Sequence, residues 1–544
     1  MGERYKWPGA CALRLTAASL ALVAAALTPP AVRANEAACS ALSRQTLTAG
    51  QIGLPTGGAK VASAALVPAA AGLSAYCKVL GAIAPVDPHS TPILFQLNLP
   101  EAWNKKALQM GGGGLNGTVV NGLGRPNDSP PGDPLPLAQG YATFGSDSGH
   151  GQGKPDIGVF AWNAEALDNY LKSAIKKTHD AALTLIAAYY GEPARRTYYF
   201  GRSQGGREAM NAAQNFPADY DGVVSIVPVI AWAGLESHAY TQWEGAYAND
   251  WAGRPKPVHL ALIRDATLAA CDGADGLKDG VVSQYEACKG PNLAALRCKA
   301  DKPADDCLTL SQIALVRRVH APLRFGFSVV NGSTEYPGWP WGAGEALVEG
   351  PAPWMATKEP PSLEASRSNI GVAFARYFLV RDPTFTGPLD LKTYRAVFTQ
   401  VSAMGDMTNP DLSAFAARGG KLIMKENGAD YSQNPRRGFA YYKAVVARMG
   451  QTKADSFLRM YVNPGVDHGG SGVMADGSPV PDKVDWLSAL DAWVEKDTPP
   501  GPLTVTAYEG AKPGASRPLC LYPLYPRYDG KGDPKAAASF SCAR

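Results

Sequence analysis

Long apolar runs and charge of a single sign are both scarce in this sequence of 544 residues. Beyond the N-terminal segment, no stretch approaches the ~20 consecutive apolar residues that a membrane-spanning helix needs. The 52 basic and 48 acidic side chains are interspersed, and the formal net charge is only +4. A nucleic-acid backbone requires a concentrated basic surface. We therefore expect a small-molecule partner, with no nucleic acid and no membrane span in the mature chain.

The one apolar segment near the N-terminus is short. Arg4 and Lys6 precede an apolar run over 15–27, and a small-residue site ends at Ala34. This order is typical of a secretory signal peptide, here residues 1–34, cleaved near Ala34. A membrane anchor is the alternative, but the run is shorter than a bilayer span. We expect a secreted or periplasmic protein.

Zinc-binding CxxC pairs are absent, although the sequence has nine cysteines. Cys11 lies in the predicted signal peptide, and the remaining even number suggests disulfides in an exported protein. Sequence alone leaves the connectivity open. Clustering along the chain favours four sequential pairs, namely Cys39 with Cys77, Cys271 with Cys288, Cys298 with Cys307, and Cys520 with Cys542.

Strand-like and helix-like segments alternate in the first part of the chain. Short β-rich runs occupy 93–99 and 141–144, and helical periodicity covers 164–190. Such alternation favours an α/β fold with a parallel sheet. Residues 228–397 lose this rhythm and are rich in Pro, Gly and Trp, which indicates an inserted domain. The α/β pattern resumes with a strand at 421–425.

A GxSxG turn provides a candidate nucleophile. Gly201-Arg202-Ser203-Gln204-Gly205 lies between a strand at 197–200 and a helix that runs to about Phe216. In α/β-hydrolases this turn exposes the serine at a sharp strand-to-helix corner. A bare GxSxG also occurs by chance as an ordinary glycine-rich turn. The flanking strand and helix favour Ser203 as a nucleophile.

Only seven histidines are available as a general base for Ser203. In this class the triad follows the chain order serine, acid, histidine, so the base lies late in the chain. His468 comes after a predicted strand at 457–462 and a turn, which favours it over a purely structural histidine.

The acid of the triad should follow the preceding strand, at 421–425. Asp430 stands just past a turn glycine there and would fix the tautomer of His468. Glu426 and Asp467 remain alternatives, and an aspartate at this position also suits an ordinary turn.

Acyl transfer needs hydrogen-bond donors for the developing oxyanion. The glycine run 111–114 follows a predicted strand, so its backbone can approach a substrate closely. Gly114 and the amide of Gln204 are the predicted donors. The alternative is a flexible loop without function.

An acidic, glycine-rich loop in the insertion suggests a calcium site. Asp272, Asp275 and Asp279 are closely spaced, and the carbonyls of Leu277 and Val281 complete the predicted ligand set. Oxygen ligands without histidine favour Ca²⁺. The alternative is a solvated acidic turn, since the spacing differs from that of an EF-hand.

Several separated motifs together resemble the tannase and feruloyl esterase family, which includes hydrolases of terephthalate half-esters. They are GRSQGGRE, GGGGLNG, SDSGH, CDGADGLKDGVV, NGAD and PGVDHGGSG, and the resemblance covers about 39–542. It implies an α/β-hydrolase core with a mostly parallel, doubly wound sheet, a calcium-holding lid, and a triad of Ser203, Asp430 and His468. It also implies the oxyanion donors and metal loop named above.

The patterns above predict how the chain is divided, and the resemblance implies what it does. The predicted parts are a signal peptide (1–34), the first part of the core (35–228), the lid (229–396) and the second part of the core (397–544). The predicted activity is that of a secreted serine carboxylesterase acting on esters of hydroxycinnamic, gallic or related aromatic acids. A lactonase or peptidase on the same scaffold and a catalytically silent binding protein are the alternatives.

One departure from the family stands beside the nucleophile. Members usually have cysteines just before the serine and just after the histidine, joined as a disulfide, whereas Arg202 and Gly469 occupy those positions here. We hypothesise that Gly469 leaves space for Arg202, whose charge then needs an acceptor such as Asp467.

Overall fold

The computed structural model describes residues 36–70, 72–151, 157–342, 344 and 369–544. The predicted signal peptide, 1–34, lies outside these residues. Among the helices that are described, none has the length and apolar character that a bilayer crossing requires.

Strands and helices alternate around the predicted site, over 142–226 and 421–496. The strands are β1 (Thr46–Leu47), β2 (Ala59–Val67), β3 (Tyr76–Ile83), β4 (Ile93–Pro100), β5 (Lys106–Met110), β6 (Ala142–Ser146), β7 (Arg196–Arg202), β8 (Gly222–Ile226), β9 (Leu323–Arg324), β10 (Glu335–Tyr336), β11 (Lys421–Asn427), β12 (Leu458–Asn463), β13 (Leu503–Glu509), β14 (Lys512–Leu519), β15 (Tyr525–Tyr528) and β16 (Phe540–Ala543). The helices are α1 (Glu36–Leu42), α2 (Ala164–Asp168), α3 (Ala174–Tyr190), α4 (Gln204–Asn215), α5 (Trp232–Trp251), α6 (Pro257–Cys271), α7 (Leu310–His320), α8 (Ile370–Ala373), α9 (Arg395–Gly405), α10 (Ser413–Ala417), α11 (Pro435–Met449), α12 (Gln451–Phe457) and α13 (Trp486–Lys496).

Ten strands form one sheet in the order β1-β2-β3-β4-β6-β5-β7-β8-β11-β12. The pairings from β1 to β6 are antiparallel. The remaining pairings, from β6 through β5, β7, β8 and β11 to β12, are parallel. The predicted α/β fold with a mostly parallel sheet is confirmed, and the antiparallel strands extend it at one edge.

Helices cover both faces of the parallel strands, as a doubly wound sheet requires. In β7, Tyr198 and Phe200 pack in a buried cluster with Trp486 of α13. Tyr199, between them, belongs to a cluster on the other face with Met210 of α4. This alternation follows from the period of two along a strand.

The chain between the neighbouring strands β8 and β11 contains α5 to α10 and the short hairpin β9–β10. Buried aromatic side chains attach it to the core: Trp232, Phe374 and Phe378 cluster with Tyr170. The described tryptophans of this region are therefore mainly packing residues. The predicted lid limits, 229 and 396, stay predictions.

All four predicted disulfide pairings are present in the structure. They join Cys39 to Cys77, Cys271 to Cys288, Cys298 to Cys307, and Cys520 to Cys542. The last pair ties the C-terminal hairpin of β15 and β16 to the end of β14.

Candidate active site

Ser203 stands at the sharp corner between β7 and α4. Its backbone has φ 59° and ψ −119°, a strained conformation for a residue with a side chain. The surrounding glycines make this corner possible: a Cβ at Gly201 would lie 2.0 Å from the carbonyl oxygen of Gly205, and one at Gly205 would lie 2.7 Å from the carbonyl oxygen of Gly112. The strain therefore exposes the Ser203 hydroxyl at the end of the strand, as the GxSxG pattern predicts.

The three predicted triad side chains form one continuous hydrogen-bonded chain. His468 Nε2 lies 2.8 Å from Ser203 Oγ, and His468 Nδ1 lies 2.7 Å from Asp430 Oδ2. A carboxylate can only accept, so Nδ1 carries the hydrogen and Nε2 faces the serine hydroxyl as an acceptor. The imidazole is thereby oriented to take a proton from Ser203.

Asp430 is itself held by the turn that follows β11. Its side chain is fully buried, and Oδ1 accepts hydrogen bonds from the amides of Ser432 at 2.8 Å and Gln433 at 2.9 Å. These two donors compensate the desolvation of the carboxylate. Oδ2 remains available to His468.

Among the described hydrogen bonds, neither alternative acid is bonded to His468. Burial and the neighbouring Asp430 raise the pKa of Glu426 well above its ordinary value, and its carboxyl bonds Gln433 instead. Asp467 accepts from the amide of Ser471 at 2.8 Å. Of the three candidate acids, Asp430 is the one that is hydrogen-bonded to His468.

The glycine loop lies against the start of α4. Gly111 donates to the carbonyl of Phe200 at 3.0 Å, and Gly205 donates to the carbonyl of Gly112 at 2.8 Å. Within the described residues, the amides of Gly114 and Gln204 have no hydrogen-bond acceptor. Both predicted oxyanion donors are thus unused by the protein itself, and the helix N-terminus adds a favourable dipole.

Glu208, which the sequence analysis did not identify, stabilises the glycine loop by accepting hydrogen bonds from it and from its neighbours. Its carboxylate accepts from Gly112 N at 3.1 Å, Asn116 Nδ2 at 2.6 Å and Tyr199 OH at 2.9 Å. The GRSQGGRE motif contains Glu208, and its position on α4, five residues after Ser203, was the available signal.

Arg202 does turn toward the His468 loop, but two details of the hypothesis are wrong. Its acidic partner is Asp128, at 2.6 Å, rather than Asp467. The glycine against its guanidinium is Gly470, where a Cβ would lie 3.1 Å from Nη1, while Gly469 faces Asp467. Asp467 is occupied by its own loop, whereas Asp128 arrives from a distant segment.

The acidic loop of the insertion folds as a tight coil. Asp272 accepts from Gly280 N at 3.0 Å, and Asp275 accepts from Leu277 N at 3.0 Å. Burial and the neighbouring carboxylates raise the pKa of Asp275 to about 6, and they raise that of Asp272 as well. Asp279 pairs with Arg517 at 2.6 Å. The oxygen donors and the negative charge of the loop suit a hard cation. The carboxylates are not, however, already arranged as a coordination cage.

A tighter cluster of potential ligands occurs elsewhere. Among the described residues, the one group of three whose ligand atoms lie within 4.8 Å of one another is His179, Asp180 and Asp219. Lys176 donates to Asp180 at 2.8 Å and to Asp219 at 3.1 Å. An internal cation already balances these acids, so the cluster is structural.

Comparison with known proteins identifies the family of the chain. The family model described as tannase and feruloyl esterase matches residues 77–543. The chain belongs to the tannase and feruloyl esterase family. It is accordingly a carboxylic ester hydrolase with the α/β-hydrolase fold, as the sequence motifs predict.

Relatives match along nearly the whole chain. An uncharacterised esterase of Agrobacterium fabrum is 37% identical, over 93% of each chain. The mono(2-hydroxyethyl) terephthalate hydrolase of Piscinibacter sakaiensis is 31% identical, over 87% of this chain and 86% of the relative. The crystal structure of feruloyl esterase B from Aspergillus oryzae superposes with a TM-score of 0.76 at 24% identity, covering 93% of this chain and 100% of that chain. The similarity to this structure shows the fold alone.

Proposed function

We propose that the protein is a secreted serine carboxylesterase that hydrolyses esters of aromatic acids through an acyl-enzyme. The observation that carries the proposal is the hydrogen-bonded chain from Ser203 through His468 to Asp430. A serine hydroxyl becomes an effective nucleophile only when an oriented base removes its proton. This arrangement meets that requirement.

The reaction follows from the roles of these residues. Ser203 Oγ attacks the ester carbonyl carbon while His468 Nε2 takes its proton, and Asp430 stabilises the imidazolium. The amides of Gly114 and Gln204 stabilise the oxyanion of the tetrahedral intermediate. His468 then gives the proton to the departing alcohol as the carbon–oxygen bond breaks. Water, activated by His468, releases the acid and regenerates Ser203.

An aromatic acyl group is the part of the proposal that rests on the relatives. Their names specify feruloyl esters and a terephthalate half-ester. In both substrates a planar ring is conjugated with the ester carbonyl. Burying such a ring on binding contributes about 1.5–3 kcal/mol, which would distinguish it from a short alkyl acyl group.

A panel of esters tests this substrate class. We expect kcat/KM for methyl ferulate, methyl gallate or mono(2-hydroxyethyl) terephthalate to exceed that for methyl butyrate by about 10- to 100-fold. Peptide anilides and a lactone are the comparison substrates. Higher turnover of either comparison would favour a peptidase or lactonase, and no turnover of any compound would indicate a silent binding protein.

Export is supported by the N-terminal pattern and by the four disulfides, which form in oxidising compartments. We propose cleavage near Ala34 and a secreted or periplasmic location. N-terminal sequencing of the exported protein tests this, and a retained Met1 would contradict it.

We also propose a structural Ca²⁺ ion in the lid, held by Asp272, Asp275 and Asp279 with the carbonyls of Leu277 and Val281. Asp279 would exchange its salt bridge with Arg517 for the ion on binding. The ion would offset the burial, and with it the repulsion between neighbouring carboxylates, that raise the pKa of Asp272 and Asp275. It would stiffen the loop without entering the reaction.

Calcium should therefore stabilise the chelator-treated protein, by about 2.7 kcal/mol when free Ca²⁺ reaches about a hundred times its Kd. The measurement is Tm by calorimetry with and without Ca²⁺. Asp275→Asn should lose most of this gain, whereas Asp265→Asn, an exposed acid on α6, should keep it. An equal response of the two variants, or no response of the parent, would contradict the site.

A further inference from the structure

The guanidinium of Arg202 holds the main chain of the catalytic histidine. Nε donates to the carbonyl oxygen of His468 at 3.0 Å, and Nη2 donates to the same oxygen. Nη1 forms a salt bridge with Asp128 Oδ1 at 2.6 Å. Because Arg202 directly precedes Ser203, one side chain connects the nucleophile's strand to the backbone of its base.

Asp128 extends this connection to the strand that leads to the acid. Its second oxygen, Oδ2, accepts from Lys425 Nζ at 2.6 Å, and both side chains are at most 1% exposed. Lys425 lies in β11, five residues before Asp430. One buried carboxylate therefore joins the ends of β7 and β11, and through Arg202 it reaches the His468 loop.

Electrostatics keep this carboxylate charged. Burial alone would raise the pKa of Asp128, but Lys425 and Arg202 outweigh burial and hold that pKa below its ordinary value. Hydrogen bonds between charged partners are about twice as strong as neutral ones. The hydrogen bonds among Arg202, Asp128 and Lys425 therefore fix the orientation of each side chain as well as its distance from its partner.

The histidine loop is shaped to fit against this pair. Gly470 has φ +81°, and a Cβ there would lie 2.9 Å from Asp128 Oδ1 and 3.1 Å from Arg202 Nη1. A side chain at this position would push the loop off the guanidinium. The main chain of the loop thus approaches closely enough for the His468 carbonyl to accept hydrogen bonds from Arg202.

We propose that Arg202 and Asp128 are positioning residues for the triad: they set the distance between the His468 imidazole and the Ser203 hydroxyl through the histidine's own carbonyl. The inference rests on the proposed function, in which His468 is the base. Neither residue contacts the reacting atoms, so their effect is on geometry. A displacement of about 1 Å in such a base costs about 100-fold in rate.

Arg202→Ala should therefore lower kcat for p-nitrophenyl acetate by about 100-fold with little change in KM. Millimolar guanidinium chloride should restore part of kcat, because the free ion can reoccupy the site between Asp128 and the His468 carbonyl, whereas ammonium chloride should not. Arg448→Ala removes an exposed arginine paired with Asp411 and is the matched control. Arg202→Met replaces the alanine variant if the latter fails to fold.

Asp128→Asn provides the second measurement. It leaves Lys425 buried without its hydrogen-bonded anion, so both kcat and Tm should fall, and guanidinium should restore neither. A kcat equal to that of the parent in Arg202→Ala or Asp128→Asn would overturn the positioning role. So would a fall in the kcat of Arg202→Ala that guanidinium does not reverse, or that ammonium reverses equally well. If the parent itself lacks turnover that depends on Ser203, the proposed function fails instead.

Discussion

Replacing Ser203 with alanine should abolish ester hydrolysis, with kcat falling by about a million-fold toward the residual rate that binding and the oxyanion donors support. No other hydroxyl of the described residues is hydrogen-bonded to His468. The loss should appear in steady-state turnover of p-nitrophenyl acetate and in the absence of an acyl-enzyme by mass spectrometry.

The control separates chemistry from folding. Ser43→Ala removes an exposed hydroxyl whose partner among the described residues is the carbonyl of Ser40, so its activity should match the parent. Ser203→Ala should keep the parental Tm, because alanine removes only one oxygen from a part-buried site. Turnover that survives in Ser203→Ala would reject the serine mechanism.

Asp430→Asn should lower kcat by about 10,000-fold without unfolding the protein. The asparagine oxygen can still accept from Ser432 and Gln433, so the turn is preserved. Its amide group, however, donates where a carboxylate accepts, and this forces the hydrogen of His468 onto Nε2. The imidazole then faces Ser203 with a donor and cannot take its proton.

Asp467→Asn is the matched variant for this test, since Asp467 adjoins His468 but bonds the amide of Ser471. It should retain most of the parental kcat. A larger fall in kcat for Asp467→Asn than for Asp430→Asn would instead identify Asp467 as the acid of the triad. Both variants are compared by kcat/KM on the same ester and by Tm.

Much of this site was predictable because its signals are local. The turn around Ser203 includes Gly201 and Gly205, and neighbouring backbone atoms leave no room for a Cβ at either position. The order of serine, acid and histidine follows from the order of β7, β11 and β12 in a parallel sheet. The disulfide pairs also join cysteines that are close in sequence, with separations of 9 to 38 residues.

The supports of the triad were not predictable in this way. Asp128 is 74 residues from Arg202 and 297 from Lys425, and no periodicity or motif marks it. The hypothesis offered Asp467, which adjoins His468 in sequence, as a nearby acceptor, but that side chain already caps its own turn. Glu208 lay inside a recognised motif, yet its bonds to the glycine loop depend on how α4 meets that loop.

The sequence by itself determined the family, the α/β fold, the nucleophile and its base, and it favoured the disulfide pairs and Asp430, because each depends on residue type and on short-range spacing. Tertiary structure alone decided which acid reaches His468, which carboxylate balances Arg202, and which amides stay free beside Ser203. Those outcomes depend on distances of a few ångströms between segments far apart in the chain, and only the packing of the sheet and its loops sets such distances.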